Sequence, residues 1–310
     1  MNQLLLDARF DDFERMCAEV RQWDLDFRPL VSASWNSEAG RVIQSVCGPL
    51  ELAYARFRIP LHQQAAPPSH RVTFVVLEKN VRRLWWRGFD EGANSVLISR
   101  PGSDFESFSG TDFSVHTVSV TEENLMMAAA TQELKPLSAD SWPEVVHLKA
   151  EAAESLRQRL RRLSSCTGDT LDAYAVLNAL ARLVCDRGRL PHTRPAARMR
   201  DIAIRRCLAA LTHGTELPPD PETLREIAGV SERTLEYAFR ERFGLTPAAF
   251  LRVQRLGRLR ADLLWAAPGE AQVGDLAARY GFWHTGHLSA QYLRAFGEHP
   301  SQTLARNQRR

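Results

Sequence analysis

Three histidines fall close together in the stretch GFWHTGHLSAQYLRAFGEHP, Gly281 to Pro300, at positions 284, 287 and 299. His284 and His287 stand at i and i+3, a spacing that can place both imidazoles on one helix face and offer a metal two nitrogen ligands. A metal site needs more donors than two, and from residue 276 to 297 the chain holds no cysteine and no carboxylate. The five cysteines, at 17, 47, 166, 185 and 207, form no C-x-x-C pair. An odd, scattered set argues against a disulfide framework and a zinc knuckle and fits a reducing cytosol. No metal and no cofactor is expected.

The same stretch gains a different meaning from an internal repeat. SERTLEYAFRERFGLTP, Ser231 to Pro247, and HTGHLSAQYLRAFGEHP, His284 to Pro300, are both 17 residues long and lie 53 residues apart. Each has Leu at its fifth position (Leu235, Leu288) and an aromatic at its ninth (Phe239, Tyr292). Each also has Phe-Gly at 13–14 and closes on Pro. Upstream of each lies a short helical run ending at glycine, TLREIAGV and VGDLAARYGF. Thr223 and Glu226 have capping-box spacing, and Gly229 and Gly281 suit a left-handed position after a helix. A short helix, a glycine turn and a second helix opening at a capping residue make a helix-turn-helix, here at about 221–243 and again at about 273–296. Thr246 and Pro247 open a long helix, PAAFLRVQRLGRLRADLLW, between the copies.

In this arrangement the second helix of each unit packs one face inward and offers the other to a DNA major groove. For the first unit Leu235, Ala238, Phe239 and Phe243 are the expected inner face. Glu232, Arg233, Glu236, Tyr237 and Arg240 then point outward, with Ser231 at the start. Arg233 suits bidentate contact to guanine, and Glu236 can accept from cytosine N4. For the second unit Leu288, Tyr292 and Phe296 point inward. His284, Thr285, Gly286, His287, Ser289, Ala290 and Gln291 surround the exposed side. The expected DNA-contacting set is thus Ser231, Arg233, Glu236, Tyr237, Arg240, His284, Thr285, His287, Ser289 and Gln291. Two such helices would enter groove segments about 34 Å apart. Arg252, Arg255 and Arg258 on the connecting helix are candidates for phosphate contact. Charge agrees: from residue 198 onward there are 17 Arg, no Lys and 12 acidic residues, a net +5 within a total of +3. A basic third of the chain suits a polyanion partner.

The 310 residues allow two domains, and no apolar run approaches the roughly 20 residues that span a bilayer. The opening MNQLLLDARFDDFERM has a short apolar patch and early acids and does not resemble a secretory signal. A cytoplasmic protein is expected. The N-terminal part begins with an amphipathic helical run, DDFERMCAEVRQW, carrying Phe13, Cys17, Val20 and Trp23. Short β-branched and aromatic runs follow: RVIQSVCG, LELAYARFRI, RVTFVVLE, VRRLWWRG, SVLISRP and FSVHTVSV. Turn signals separate them, which predicts an antiparallel sandwich or barrel over about 40–122. Helical patterning takes over near residue 143. One stripe is Val145, Leu148, Ala152, Leu156, Leu160 and Leu163. A second is Leu171, Tyr174, Leu177, Ala181 and Val184. They predict a helical hairpin over 143–185, whose leucine seam in LRQRLRRL suits a dimer or intramolecular interface better than a nucleic-acid arm. Residues 186–199 read as a linker.

With these residues in view, GVSERTLEYAFRERFGLTPAAFLRVQRL and DLAARYGFWHTGHLSAQYLRAFGEHPS resemble the AraC/XylS family of bacterial transcription regulators over about 200–306. The second segment is similar to the ethanolamine-utilisation-regulator-like subgroup. The resemblance implies a seven-helix DNA-binding domain over 200–310 and an N-terminal effector domain over 1–142 with a cupin-like β-barrel. The expected fold class is therefore α+β: a cupin-like antiparallel barrel or sandwich with flanking helices, then an all-α domain with two helix-turn-helix units. It further implies a small organic effector, a homodimer, double-stranded promoter DNA and contact with RNA polymerase, usually in activation. Two departures stand out. Ala290 replaces an arginine common in relatives, and Gly286 is a poor helix former. Base reading is therefore expected mainly from the first unit.

A cupin-type metal-dependent enzyme with an accessory helical domain is the alternative. It is disfavoured because His62, His70 and His116 are scattered and no His-x-His occurs. For an effector inside the barrel the candidates are Arg56, His62, Arg71, Trp85 and Trp86, of which alternation lets only about half face inward.

Overall fold

The computed structural model describes residues 2–10, 12–30, 39–81, 84–87, 89–135, 142–185, 199–213, 219–266 and 272–307. The chain divides into two compact units, Met1–Phe27 with Glu38–Thr193, and Arg28–Ser37 with Arg194–Arg310. The expected linker, apart from Met199, lies outside the described residues.

The first unit is built on strands β1 (Asn2–Phe10), β2 (Asp24–Pro29), β3 (Gly40–Cys47), β4 (Leu50–Phe57), β5 (Leu61–Ala66) and β6 (Val72–Leu77). They continue as β7 (Leu84–Trp86), β8 (Phe89–Glu91), β9 (Ser95–Ser99), β10 (Phe105–Ser109), β11 (Phe113–Val120) and β12 (Val145–His147). Its helices are α1 (Phe13–Glu19), α2 (Glu122–Ala130), α3 (Ala150–Ser164) and α4 (Thr170–Cys185). Among the described residues one sheet has seven strands in the order β1-β3-β4-β11-β6-β9-β12, and the other five in the order β2-β5-β10-β7-β8. The seven-stranded sheet is antiparallel at every pairing. The expected antiparallel unit is present, and it extends beyond 40–122 at both ends because β1, β2 and β12 join it.

Alternation divides the two faces of the larger sheet. Leu52, Val72, Phe74, Val76, Val118 and Val120 share one buried cluster with Leu156, Leu160 and Leu163 of α3 and with Val176, Leu177, Leu180 and Val184 of α4. Each such aliphatic side chain, fully buried, contributes roughly 1.5–3 kcal/mol, so this face fixes the hairpin on the sheet. Thr73 and Ser119 lie on the opposite face, hydrogen-bonded to each other at 2.7 Å and fully buried.

Several expectations are corrected here. The first helix is only Phe13–Glu19, because Asp12 caps it and Val20 turns extended at ψ 121°, so Trp23 lies outside it. Val145 belongs to edge strand β12, paired with Leu97, and Ala152 is exposed, with Ala153 buried in its place. In α4, Leu171 and Tyr174 are 78% and 50% exposed. The buried stripe instead begins two positions on from them, at Ala173 and Val176.

The second unit carries α5 (Met199–His213), α6 (Pro221–Ala228), α7 (Glu232–Phe243), α8 (Pro247–Trp265), α9 (Val273–Arg279), α10 (Thr285–Phe296) and α11 (Pro300–Asn307). Among the described residues these are seven helices, the number that the family resemblance implies for this region. Among the described residues no helix is long and apolar enough to cross a membrane.

Candidate nucleic-acid interface

The two repeated units fold on the same local rules. Asp220 accepts from the Thr223 amide at 2.8 Å and Pro221 stands in the first turn, so α6 starts there. That amide holds the Asp220 carboxyl below its ordinary range. The capping box expected at Thr223 and Glu226 is therefore corrected to an Asp220 cap: Thr223 already lies inside the helix, where its amide is a donor needing a partner. Gly229 ends α6 at φ 67°, and Gly281 follows α9 at φ 76°. Both are left-handed positions that a side chain would strain. Ser231 caps α7, accepting from the Thr234 amide at 3.3 Å. His284 occupies the same place before α10 with no side-chain cap bond, and Gly244 and Gly297 close the two helices at φ 70°.

Inner faces hold each helix in place. Leu235, Ala238, Phe239 and Phe243 of α7 are all buried. Phe239 and Phe243 meet Phe250 of α8 with centroids 5.3 and 4.6 Å away. Leu288 and Tyr292 of α10 pack with Leu256, Leu259 and Leu263 of α8 and Leu276 of α9, and Phe296 lies at the cluster's edge. Below Tyr292 runs a polar chain. Its hydroxyl donates to Thr303 (3.0 Å), Thr303 donates to Glu298 (2.8 Å), and Arg260 pairs with Glu298 at 2.7 Å. Tyr280 donates to Asp262 at 2.7 Å, and burial with that carboxylate pushes its hydroxyl up to about 12.

The outward face of α7 collects the expected residues. Arg233, Tyr237 and Arg240 are exposed and Glu236 is half-buried. The Arg233 guanidinium lies 5.6 Å from the Tyr237 ring and its Nη2 donates to the Tyr237 hydroxyl at 3.5 Å. Glu236 and Arg240 approach to 3.7 Å one turn on. Such surface contacts contribute at most about 1 kcal/mol, so they orient the side chains without withdrawing them from a ligand.

The set expected on α10 is only partly brought together. His284 and His287 are exposed, and the side chain of Thr285 lies outside the described residues. Ser289 is half-buried and bonded to His299 Nδ1 at 2.8 Å. Gln291 is a correction. It is half-buried with Oε1 enclosed, because its place in the helical turn lies beside the packed Leu288 and Tyr292. Two of the candidate phosphate contacts are likewise corrected. Arg255 donates to the Pro219 carbonyl (3.3 Å) and Arg258 to the Leu211 carbonyl (2.9 Å), so their guanidiniums serve backbone acceptors inside the unit. Arg252 remains exposed. Sequence reasoning missed Trp283, 74% exposed just before α10, and Leu293, 41% exposed on it. Aligning the two copies position by position would have singled out Leu293, which stands where Arg240 stands in the first copy. Among the described residues no group of three or more His, Cys, Asp or Glu is placed to hold a metal ion.

A family profile described as a helix-turn-helix domain matches residues 224–306. Over 87 residues this domain region is 38% identical to the probable thc operon regulatory protein of Rhodococcus erythropolis. Over 85 residues it is 39% identical to XylDLEGF operon transcriptional activator 1 of Pseudomonas putida. Each match covers 27% of this chain and 26% of the relative, so the helix-turn-helix similarity spans about a quarter of these proteins. The crystal structure of the AraC-like transcriptional activator CuxR aligns with 88% of this chain and 99% of its own at 15% identity and a TM-score of 0.44.

The effector candidates occupy separate places in the first unit. His62 of β5 is buried, bonded to Glu106 at 2.7 Å and stacked on Phe108 at 4.3 Å, with Trp85 against the other side of that ring system at 5.2 Å. Arg71 pairs with Glu51 at 2.8 Å, and Arg71 Nε, Glu51 Oε2 and Trp86 Nε1 are enclosed without a partner. Glu51 stands beside Ser119, Ser119 beside Thr73, and Thr73 beside Ser99, a polar row across four strands on the face opposite the helices. Arg56 is exposed and faces Asp112 at 3.4 Å, away from that row. Its place in the expected interior set is corrected: alternation along β4 turns it outward.

Proposed function

We propose that this chain is an effector-controlled, sequence-specific DNA-binding regulator of transcription, an activator on double-stranded promoter DNA. The observation that carries the reading is the exposed face of α7, where Arg233, Glu236, Tyr237 and Arg240 lie over a buried apolar face behind a glycine turn. A guanidinium and a carboxylate presented side by side match the guanine acceptors and the cytosine N4 donor of the major groove. Similarity of the helix-turn-helix domain to operon regulators and activators supports the same reading.

In this account residues 1–142 sense a small organic effector, 143–185 pair two copies into a homodimer, 186–199 link, and 200–310 bind DNA. The partnerless polar atoms of Arg71, Glu51 and Trp86 are what an effector would engage. RNA polymerase is the second macromolecular partner, the cytoplasm the site of action, and the ethanolamine-utilisation-regulator-like group the nearest subgroup. The enzyme reading gains no support, since His62 and His116 are each committed to a carboxylate of their own, Glu106 and Glu78.

The test is selection of duplexes from a random pool by the full chain, followed by anisotropy titration with and without candidate metabolites. Enrichment of a defined site whose affinity shifts with one metabolite is expected. A pool that stays random after repeated rounds contradicts the reading.

A further inference from the structure

The two recognition helices align in sequence register but not in chemistry. With the constant offset of 53 residues, Gly286 stands where Arg233 stands, Ser289 for Glu236, Ala290 for Tyr237 and Leu293 for Arg240. Arg233, Glu236, Tyr237 and Arg240 are thus each matched on α10 by a small or apolar residue, or by a serine, whereas Ser231, Glu232 and Thr234 are matched by His284, Thr285 and His287. Ser289 is engaged, since its hydroxyl is bonded to His299. Gln291, the one amide nearby, has its oxygen enclosed. Gly286, Ala290 and Leu293 fall at i, i+4 and i+7, one helix face, and all three are exposed. Trp283, just before the capping His284, is a further exposed apolar side chain near the helix start. Nothing lies within 4 Å of a Cβ built on Gly286, so the face is also open to close approach.

The face made by Gly286, Ala290 and Leu293 carries no side-chain hydrogen-bonding group with which to discriminate base pairs. It can discriminate by the one apolar group in the major groove, the thymine 5-methyl. Arg294 of α10, next in sequence to Leu293, is exposed and supplies positive charge beside this face for the phosphates. Resting on the DNA-binding reading above, we propose that α10 recognises a thymine-bearing half-site by apolar contact of Ala290 and Leu293 with 5-methyl groups, while α7 reads its half-site by hydrogen bonds.

The experiment replaces single thymines by deoxyuridine in the duplex selected by the full chain, which removes the methyl and leaves pairing intact. Each thymine contacted by α10 should lose about fourfold in affinity, the factor for one buried methyl. Replacing a contacted thymine–adenine pair by 5-methylcytosine–guanine should retain more affinity than unmethylated cytosine–guanine. The Leu293→Ala protein should lose the thymine-over-uracil preference at one position and keep it elsewhere. Unfolding of that variant in urea, unchanged from the parent, separates the effect from misfolding. The proposal is overturned if deoxyuridine leaves affinity unchanged throughout one half of the site. It is equally overturned if Trp283→Ala and Leu293→Ala bind DNA normally but fail to activate purified polymerase, which would make this face a protein contact. If no duplex is selected at all, the DNA-binding reading falls with it.

Discussion

Replacing Arg233 by alanine isolates base recognition from folding. The side chain is exposed and its contacts within the protein are to Tyr237, at 5.6 Å from the ring and 3.5 Å from the hydroxyl. A cation over an exposed ring is worth about 0.5–1 kcal/mol, so unfolding in urea should shift by no more than that. Binding has more to lose. A bidentate arginine–guanine contact carries about 1–3 kcal/mol of discrimination, which is about 5- to 160-fold in affinity. Anisotropy titrations of parent and Arg233→Ala protein against the selected duplex, and against duplexes changed at each base pair, give the pattern. The loss should fall on one base pair, where the variant no longer distinguishes the four pairs, and the slope of log affinity against log salt should stay unchanged. A loss equal on every sequence, with the salt slope reduced by about one, would make Arg233 a phosphate contact and refute its role as a reader.

Other outcomes follow from the surrounding structure. Arg260→Ala leaves the part-buried Glu298 without its 2.7 Å partner and should cost about 3–5 kcal/mol of stability by urea unfolding, whereas Arg240→Ala, exposed beside Glu236, should cost under about 1 kcal/mol. Burial raises the Cys17 and Cys207 thiols to about 12, and Cys47 and Cys185 are also buried, so a thiol reagent at pH 8 should label Cys166 alone at a fast rate. Burial pushes the Glu78 carboxyl up, but hydrogen bonds from Arg161 and His116 outweigh it and hold the group well below its ordinary 4.5. A depressed folded value gives stability that is present above 4.5 and is lost as pH falls through the folded value. Glu78→Gln should therefore be less stable than the parent at neutral pH, and the gap should close on acidification in a pH series of urea midpoints.

The helix-turn-helix units were legible because their signals are local: the capping Ser231, the glycines at left-handed φ and the 3.6-residue spacing of Leu235, Phe239 and Phe243. The repeat doubled each signal. Strands β5 and β10 were not legible, since LHQQAA and FESFS carry polar residues at buried positions. Gln63 bonds to Ser109 across the pair, a satisfaction visible only once the strands are adjacent. Edge strand β1 is half-exposed along most of its length and interrupted by a bulge between Leu4 and Leu6, which blurs its alternation. The interior set was legible only in part for the same reason: Arg56 and Arg71 are both arginines near strand ends, and only register separates the outward one from the one paired to Glu51.

The central claim is that two helices, α7 and α10, present adjacent faces to one DNA duplex with different reading chemistry. Hydroxyl-radical footprinting of the full chain on its selected duplex tests it most directly. Two protected segments centred about one helical turn, roughly 10 base pairs, apart are predicted. Arg233→Ala should weaken protection at one of them and Leu293→Ala at the other. A single protected segment, or one equally weakened by both substitutions, would contradict the account.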